Sequence, residues 1–238
     1  VCPSRRATGL FWTLNDANNP AVLHTITTAG AVGNPVTVTG NGVSNTDWED
    51  LQSFRFAGKP WLMIADTGDN SLIRSNLALY LMEEPAPGTA TVAITARQVI
   101  DLPDGARNIE AIGVDPIAQV VLMADKNTRG ASEVYQIPLS LTSGSFSPVP
   151  TGELATRSGP TGRISGMMIS RDGTRAVFIS AAAIAIRFIE GRMPRGAKPW
   201  PLAPQGLARL QRHQVPQATP AGLKAKRFVS VIGRWICF

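Results

Sequence analysis

The sequence predicts an all-β fold, and the prediction rests on its strand-like runs, its turn residues and their spacing. Short β-prone runs recur along the chain, and turn-forming residues separate them at intervals of about 8 to 12 residues. The 22 Gly and 18 Pro are spread through the chain, which favours many turns over long helices. No apolar run reaches the ~18 residues expected of a membrane-spanning helix. This pattern is typical of a β-sandwich, a barrel or a propeller.

The predicted strands follow one another regularly through the first hundred residues. The turn 15–20 separates the first two runs, and the Gly-Lys-Pro turn 58–60 separates an alternating run from a continuous apolar one. We expect the run 90–95 to complete the group that begins at residue 51. The strands predicted in this part of the chain are 9–14, 21–27, 35–39, 51–56, 61–65, 77–82 and 90–95.

Internal similarity selects the propeller among these architectures. A third copy of the repeat is visible at 164–180, and segment 11–16 aligns so that Asp16 corresponds to Asp66. A repeat of ~40 to 60 residues with four strands per unit is typical of a propeller blade. About three and a half blades are recognisable, so the sequence predicts a partial β-propeller of the six-bladed type over residues 8–189. The corresponding positions of the two clearest copies are Glu49 with Glu110, Asp66 with Asp125, and Tyr80 with Tyr135.

The net charge of +6 comes from the last part of the chain. Residues 1–180 contain 13 Lys and Arg against 16 Asp and Glu, whereas residues 181–238 contain 10 against one. Because basic and aromatic residues do not interleave in the first part, we expect no nucleic-acid partner. Residues 190–238 are rich in Arg, Pro and Ala and predict an irregular basic tail. Two interpretations of the tail stay open: a disordered extension, or translation in a shifted reading frame that replaces one or two final blades.

The cysteines and histidines do not form a recognisable site. The two Cys, Cys2 and Cys237, lie at opposite ends, and a disulfide between them would suit an oxidising compartment. The two His, His24 and His213, have no partner at metal-ligand spacing, which argues against a zinc site and a Ser-His-Asp triad. The chain begins with neither an initiator Met nor an apolar leader, so we expect a removed leader or a start within a longer gene.

The strongest chemical signal is a group of acidic residues that recurs in the repeat. Segments 47–51 (DWEDL) and 65–70 (ADTGDN) lie close together, and segments 108–112 (NIEAI) and 123–127 (MADKN) repeat their pattern. Carboxylates packed this densely repel one another unless they face water, a cation or a cationic substrate. Oxygen-only ligands suit a hard cation, so we predict a Ca²⁺ site in a ring of carboxylates around the propeller axis. The predicted metal ligands are Asp16, Asp47, Glu49, Asp66, Asp69 and Asp125.

These motifs, together with 12–16 (WTLND) and 170–173 (SRDG), resemble those of the bacterial phytase-like, or esterase-like, six-bladed β-propellers. The resemblance covers about residues 8–185 and implies a protein that is secreted or located in the cell envelope. The oxygen-only ligand set itself predicts calcium-dependent hydrolysis of a phosphoester or another small-molecule ester. Glu49 and Glu110 begin predicted inner strands, where their carboxylates would face the axial channel, and are the predicted catalytic residues. The tail departs from the family pattern, because further strands and acidic positions are expected there.

Two other functions are compatible with the same residues. The first is a non-catalytic propeller that binds an envelope or extracellular partner, and the second is a lactonase-type hydrolase with one divalent metal. Some of the conspicuous residues have structural explanations. We expect the three tryptophans Trp12, Trp48 and Trp61 to pack between blades, and Asp115-Pro116 and Asp172-Gly173 to form hairpin turns.

Overall fold

Seventeen strands and no helix make up the part of the chain described by the computed structural model, namely residues 1–126, 131–154 and 163–180 with the backbone of 184–188. They form four sheets. The first contains β1 (Cys2–Pro3), β2 (Leu10–Leu14), β3 (Val22–Thr27) and β4 (Val36–Thr39). The second contains β5 (Trp48–Phe56), β6 (Lys59–Asp66), β7 (Ala78–Glu83) and β9 (Ala96–Ile100). The third contains β10 (Ile109–Asp115), β11 (Val120–Asp125), β12 (Ser132–Pro138) and β14 (Val149–Leu154), and the fourth contains β15 (Ile164–Ile169), β16 (Arg175–Ser180) and β17 (Ile184–Phe188).

The four sheets repeat one topology. Within each sheet, the strands named above pair antiparallel with their neighbours in that order. The first strand of each later sheet lies innermost, since β5, β10 and β15 contact one another. Three successive four-stranded meanders and a three-stranded one, packed with their first strands together, have the topology of propeller blades, which confirms the predicted fold class. We call the sheets blades 1 to 4.

Both faces of blade 2 are buried against its neighbours. On β6, Leu62 and Ile64 pack into a core shared with blade 1, whereas Met63 and Ala65 pack into a core shared with blade 3. Strand side chains alternate between the two faces of a sheet, so a strand buried on both faces reads as a continuous apolar run. This explains the apolar run 61–65. A third core joins blades 3 and 4.

The tryptophans and the hairpin turns have the structural roles that the sequence predicted. Trp12 and Trp48 are buried in the core between blades 1 and 2, and Trp61 is buried in the next core. Asp115 accepts hydrogen bonds from the backbone N–H groups of Ile117 and Ala118, both at 2.9 Å, in the turn between β10 and β11. Gly173 supplies the positive φ of 67° that the turn between β15 and β16 requires.

The expectation that 90–95 completes the second sheet is wrong. Strand β8 (Thr91–Ala93) instead pairs parallel with β4 of blade 1, and β9 is the fourth strand of blade 2. The same arrangement recurs one blade later, because β13 (Gly144–Phe146) pairs parallel with β9. Each blade therefore extends the outer edge of the blade before it. This strand addition covers edges that would otherwise expose unpaired backbone groups.

Several predictions concern residues that the structure does not describe. The basic tail 190–238, Cys237, His213 and any further blades lie outside the described residues. Cys2 is a free thiol in the core between blades 1 and 2, and burial raises its pKa to about 12. Among the described residues, no helix has the length and apolar character needed to cross a membrane.

Candidate metal centre

The inner strands share an irregularity that directs the predicted catalytic positions. The β5–β6, β10–β11 and β15–β16 ladders each shift register at one residue near the start of the inner strand. The extra residue is Glu49 in blade 2, Glu110 in blade 3 and Ser165 in blade 4. A β-bulge inserts one unpaired residue and changes the direction of a side chain, and such bulges are common beside functional sites. The same type of β-bulge thus places Glu49 and Glu110 at equivalent positions in blades 2 and 3.

Three predicted ligands meet at this end of the propeller. Asp16, Asp47 and Glu49 each bring a carboxylate oxygen to within 4.8 Å of the other two, and we call these residues the carboxylate cluster. The side-chain amide of Asn45 donates to the backbone carbonyls of Asn15, at 3.2 Å, and Asp16, at 3.0 Å. These hydrogen bonds hold the loop after β2 against the start of β5. The cluster therefore spans the junction between blades 1 and 2.

Gly68 fits closely beneath the cluster. A Cβ atom at this position would lie 2.3 Å from Asp47 Oδ2 and 2.4 Å from Glu49 Oε1. The Gly68 N–H also donates to the Asp47 backbone carbonyl at 3.1 Å. The carboxylates therefore occupy space that any other residue at position 68 would fill with its side chain. The glycine in the segment 65–70 has a packing role that the motif alone did not reveal.

The cluster has an unfavourable charge balance. The pKa of Glu49 is raised to about 8, with burial as the largest cause and the charge of Glu110 next. The charges of the other two cluster carboxylates raise it further, while Lys126 acts in the opposite direction. The pKa of Asp47 is also raised, first by burial and then by Asp16. Closely spaced carboxylates that resist ionisation are a common setting for a cation.

Glu110 differs from Glu49 because it is paired. Its Oε1 atom accepts a 3.0 Å hydrogen bond from Asn108 Nδ2 and forms an ion pair with Lys126. The Glu110 side chain is 4% exposed, so this carboxylate is largely shielded from water. The negative charge of Glu110 still acts on Glu49. The positively charged ammonium group of Lys126 thus lies at the edge of the carboxylate cluster.

Asp66 lies beside the cluster but serves protein donors. Its Oδ1 atom accepts from the Asp47 backbone N–H at 2.9 Å and from Arg74 at 3.0 Å. Its Oδ2 atom accepts from the hydroxyl of Tyr80 at 3.1 Å. These bonds orient the loop that carries Asp47. Asp66 therefore positions a cluster residue, and its predicted role as a ligand stays a prediction.

The two other predicted ligands are also engaged. Asp69 accepts from the backbone N–H groups of Ile73, at 3.1 Å, and Arg74, at 2.8 Å. Asp125, one blade away, accepts from the Glu133 N–H at 2.7 Å and from Arg107 at 3.4 Å. The structure places the six predicted ligands in one cluster of three and three separate positions. The ligand set as a whole stays a prediction.

The carboxylate of Asp50 joins the inner strands. Asp50 Oδ2 accepts from the backbone N–H of Ile112, at 2.9 Å, and from that of Met167, at 3.4 Å, while Oδ1 accepts from the Leu51 N–H at 2.7 Å. Blades 2, 3 and 4 thus meet at one side chain. Burial raises the pKa of Asp50 to about 6, although these hydrogen bonds oppose the increase.

Sequence reasoning did not assign a role to Asn45, Gly68 or Asp50. Asn45 lies two residues before Asp47, and Gly68 lies within the segment 65–70, so their places beside and inside the acidic motifs were the available signal. Asp50 was visible in the motif, but its role depends on strands more than 60 residues away. Lys126 was noticed near the motif, and its pairing with Glu110 appears only when β10 and β11 are aligned.

Comparisons with known proteins add limited information. No known family model and no curated protein match this sequence. The hydrazine synthase of Kuenenia stuttgartiensis is similar with a TM-score of 0.43 and 13% identity, over 79% of this chain and 57% of that one. A chain of the mitotic checkpoint complex has a TM-score of 0.35 and 8% identity, over 74% and 64% of the two chains. The Dos1 propeller has a TM-score of 0.33 and 8% identity, over 74% and 54%.

This chain spans roughly half to two thirds of the length of those chains, from 54% to 64%. Because all three TM-scores are below 0.5, the propeller assignment rests on the strand pairing and the inter-blade cores described above. The chain is a β-propeller by its own topology.

Proposed function

We propose that this chain is the part of a β-propeller protein that binds a hard divalent cation, Ca²⁺, through Asp16, Asp47 and Glu49. The observation that carries the proposal is the convergence of their oxygens within 4.8 Å. Ca²⁺ binds oxygen ligands at ~2.3 to 2.6 Å, so two ligands of one ion are separated by at most about 5 Å. The spacing of the three carboxylates is therefore compatible with a single ion between them.

The donor set and the packing both fit such an ion. All three groups offer oxygen, which favours a hard cation over the softer metals bound by Cys and His. The absence of a side chain at Gly68 leaves the carboxylates room to converge. A bound cation would also offset the repulsion that raises the pKa of Glu49 and Asp47. Weak calcium sites are filled at the millimolar calcium concentrations outside cells, so a secreted or envelope location is part of the proposal.

We further propose that the site acts on an ester with an anionic group, a phosphoester being the first candidate. When bound, Ca²⁺ would supply Lewis-acid polarisation of a phosphoryl or carbonyl oxygen. Lys126 is held at the edge of the cluster by Glu110, where its ammonium group can donate to an anionic oxygen of the substrate. Glu49 faces the same space and is the remaining predicted catalytic carboxylate that lacks such a basic partner among the described residues.

A calcium-dependent binding module is the second candidate function. The pairing of Glu110 with Lys126 and Asn108 favours it, because a carboxylate engaged in this way is poorly suited to accept a proton. In this alternative, the cation and Lys126 would hold an anionic group of an envelope or extracellular partner without turnover. The two candidates share the cation site and differ in whether the bound molecule is cleaved.

Calcium binding is tested by thermal unfolding with and without CaCl₂. We expect calcium to raise the Tm of the wild-type chain and to have little effect on Glu49→Gln and Asp47→Asn, since each loses one ligand charge. Glu153→Gln removes an exposed carboxylate of β14 and is the matched control. An equal calcium response in all four proteins would contradict the site.

Turnover is tested with calcium-loaded protein and three substrates: p-nitrophenyl phosphate, p-nitrophenyl acetate and a simple lactone. The phosphoesterase proposal expects phosphate release that requires calcium and falls at least about tenfold in Lys126→Gln, which removes the cation beside the cluster. Cleavage of the lactone alone would favour a lactonase. Calcium binding without cleavage of any of the three would favour the binding module.

A further inference from the structure

Two adjacent apolar side chains are exposed in the loop that joins β6 to β7. Leu72 is 54% exposed and Ile73 is 81% exposed, and we call this pair the apolar tip. Within residues 1–126, 131–154 and 163–180, no other two exposed large apolar residues are adjacent in sequence. Scattered single apolar residues are normal on a protein surface, whereas grouped ones mark interaction sites. The apolar tip is therefore a candidate contact with a partner.

Hydrogen bonds within the loop hold the apolar tip in a defined conformation. The buried carboxylate of Asp69 accepts from the backbone N–H groups of Ile73 and Arg74, at 3.1 and 2.8 Å. The Asp69 carbonyl accepts from the Leu72 N–H at 3.1 Å. The Arg74 side chain closes the loop, because its Nη1 atom donates to the Gly68 carbonyl at 2.6 Å. The tip is thus presented by a hydrogen-bonded loop and can bind without first being ordered.

Leu72 has a backbone conformation that its side chain disfavours. Its φ is 56°, in the left-handed region that residues other than Gly and Asn rarely adopt. Such strain persists only where the surrounding structure enforces it, and it clusters at functional sites. Gly or Asn would form the same turn with less strain. The turn alone therefore does not explain a leucine at this position, whereas a role for its exposed side chain does.

The apolar tip and the carboxylate cluster lie at the same end of the propeller. Asp66, which ends β6, pairs with Trp48, which begins β5. Gly68, at the start of the loop, lies directly beneath the cluster. Ile73 N is bonded to the Asp69 side chain, so the tip begins within about 10 Å of Gly68. A surface that contacts the tip can therefore also reach the cluster.

The surroundings of the tip suit an anionic surface. Segment 70–76 (NSLIRSN) contains no acidic residue, so its charge does not oppose an anion. Apart from Arg74, the residues on either side of the tip carry uncharged hydrogen-bonding groups. A Ca²⁺ ion takes about six to eight oxygen ligands, so an ion held by three carboxylates can accept further oxygens from a partner.

We propose, on the basis of the proposed calcium site, that the calcium-loaded end of the propeller binds the surface of a bilayer containing anionic phospholipids. Headgroup phosphate oxygens complete the coordination of the ion, while the apolar tip inserts between the lipids at the interface. Without calcium, the carboxylate cluster repels the anionic surface. A protein partner fits less well, because a stable protein interface covers about 800 Å² on each side, far more than two side chains.

The test is sedimentation with vesicles of phosphatidylcholine and phosphatidylserine, in millimolar CaCl₂ or in EDTA. We expect the wild-type chain to bind in CaCl₂ and to stay in solution in EDTA or with phosphatidylcholine alone. In the double variant Leu72→Asn/Ile73→Ser, we expect vesicle affinity to fall at least about tenfold, since two apolar side chains are lost from the interface. Asn accepts the positive φ, and neither residue is a proposed ligand, so this variant keeps the wild-type rise in Tm with calcium.

Ile117→Ser is the matched control. Ile117 is 48% exposed in the turn that follows β10, away from the end where Glu110 lies, so we expect wild-type vesicle binding. Two results would overturn the lipid proposal while the calcium site stands. One is a calcium-dependent rise in Tm without vesicle binding, which would favour a protein partner, and the other is vesicle binding that the double variant leaves unchanged. No rise in Tm with calcium would overturn the calcium site, and the lipid proposal with it.

Discussion

Gly68 is the residue on which the geometry of the carboxylate cluster most directly depends. In Gly68→Ala, the new Cβ would displace Asp47 Oδ2 and Glu49 Oε1, which lie 2.3 and 2.4 Å from its position. Both oxygens are at the ends of side chains that can rotate, so we expect a stability loss of only about 1 kcal/mol. We expect a much larger effect on the cation site, with calcium affinity reduced at least about tenfold by calorimetric titration.

Gly144→Ala is the matched control for this substitution. At position 144, the nearest atom to a new Cβ is 3.7 Å away, an ordinary packing distance. We expect this variant to keep wild-type calcium affinity. Wild-type affinity in Gly68→Ala would show that the ion binds elsewhere.

Asp50 gives the fold a specific pH dependence. Its pKa is raised from 3.8 to about 6, so between about pH 4 and pH 6 the native state binds more protons than the unfolded state. The contribution of Asp50 to stability is therefore fully present below pH 4 and is lost as pH rises through 6. A shift of this size corresponds to about 3 kcal/mol.

The measurement is the free energy of urea unfolding at pH 4, 5, 6 and 7, in a Glu49→Gln background because Glu49 titrates over an overlapping range up to about 8. We expect a decline with pH that Asp50→Asn largely abolishes. Asp50→Asn should also be less stable at every pH, since its amide offers one acceptor oxygen to donors from three blades. An unchanged slope in Asp50→Asn would refute this account of the titration.

At the scale of strands, the sequence predicted the repeat but did not predict the pairing of the short segments. Alternation and apolar runs predicted β2, β6 and β7 to within about two residues, because side chains of these strands pack into the cores between blades. The equivalence of Glu49 and Glu110 was also readable, since it follows from the aligned repeats. The bulges that place them were not, because a register shift is a property of the paired backbone. The parallel pairing of β8 with β4 depends on a strand about 50 residues away.

Blades 1 and 2 are joined by one buried carboxylate at the end of β7. Glu84 accepts from Trp12 Nε1 and from the Arg5 backbone N–H, both at 2.8 Å, and from the Ser4 hydroxyl. In Glu84→Ala, the Trp12 indole N–H, the Arg5 backbone N–H and the Ser4 hydroxyl would lose their acceptor. Trp12 is buried in the core between blades 1 and 2. We expect a loss of about 2 to 4 kcal/mol in the free energy of unfolding, measured by urea denaturation.

The preceding residue is an unusually close control. Glu83 makes ion pairs with Arg6 and Lys59 at the surface, and such pairs contribute little to stability. We expect Glu83→Ala to unfold within experimental error of the wild type. Equal losses in the two variants would show that Glu84 is not the connection between these blades.

At the scale of the whole molecule, the repeated acidic motifs gather at the ends where the inner strands β5 and β10 begin. Glu49 lies at the start of β5, where the carboxylate cluster joins the loop after β2 to blade 2. The sequence predicted the acidic end, because its residues occur in two repeated motifs.

The proposed binding of one calcium ion by Asp16, Asp47 and Glu49 can be tested by crystallography. The most direct test is a crystal structure of the chain grown in millimolar CaCl₂, with anomalous data to identify the ion. The account predicts a calcium peak about 2.4 Å from an oxygen of each of the three carboxylates, and its loss in Glu49→Gln. Crystals that show no ion there, with calcium absent or bound only at other surface carboxylates, would contradict it.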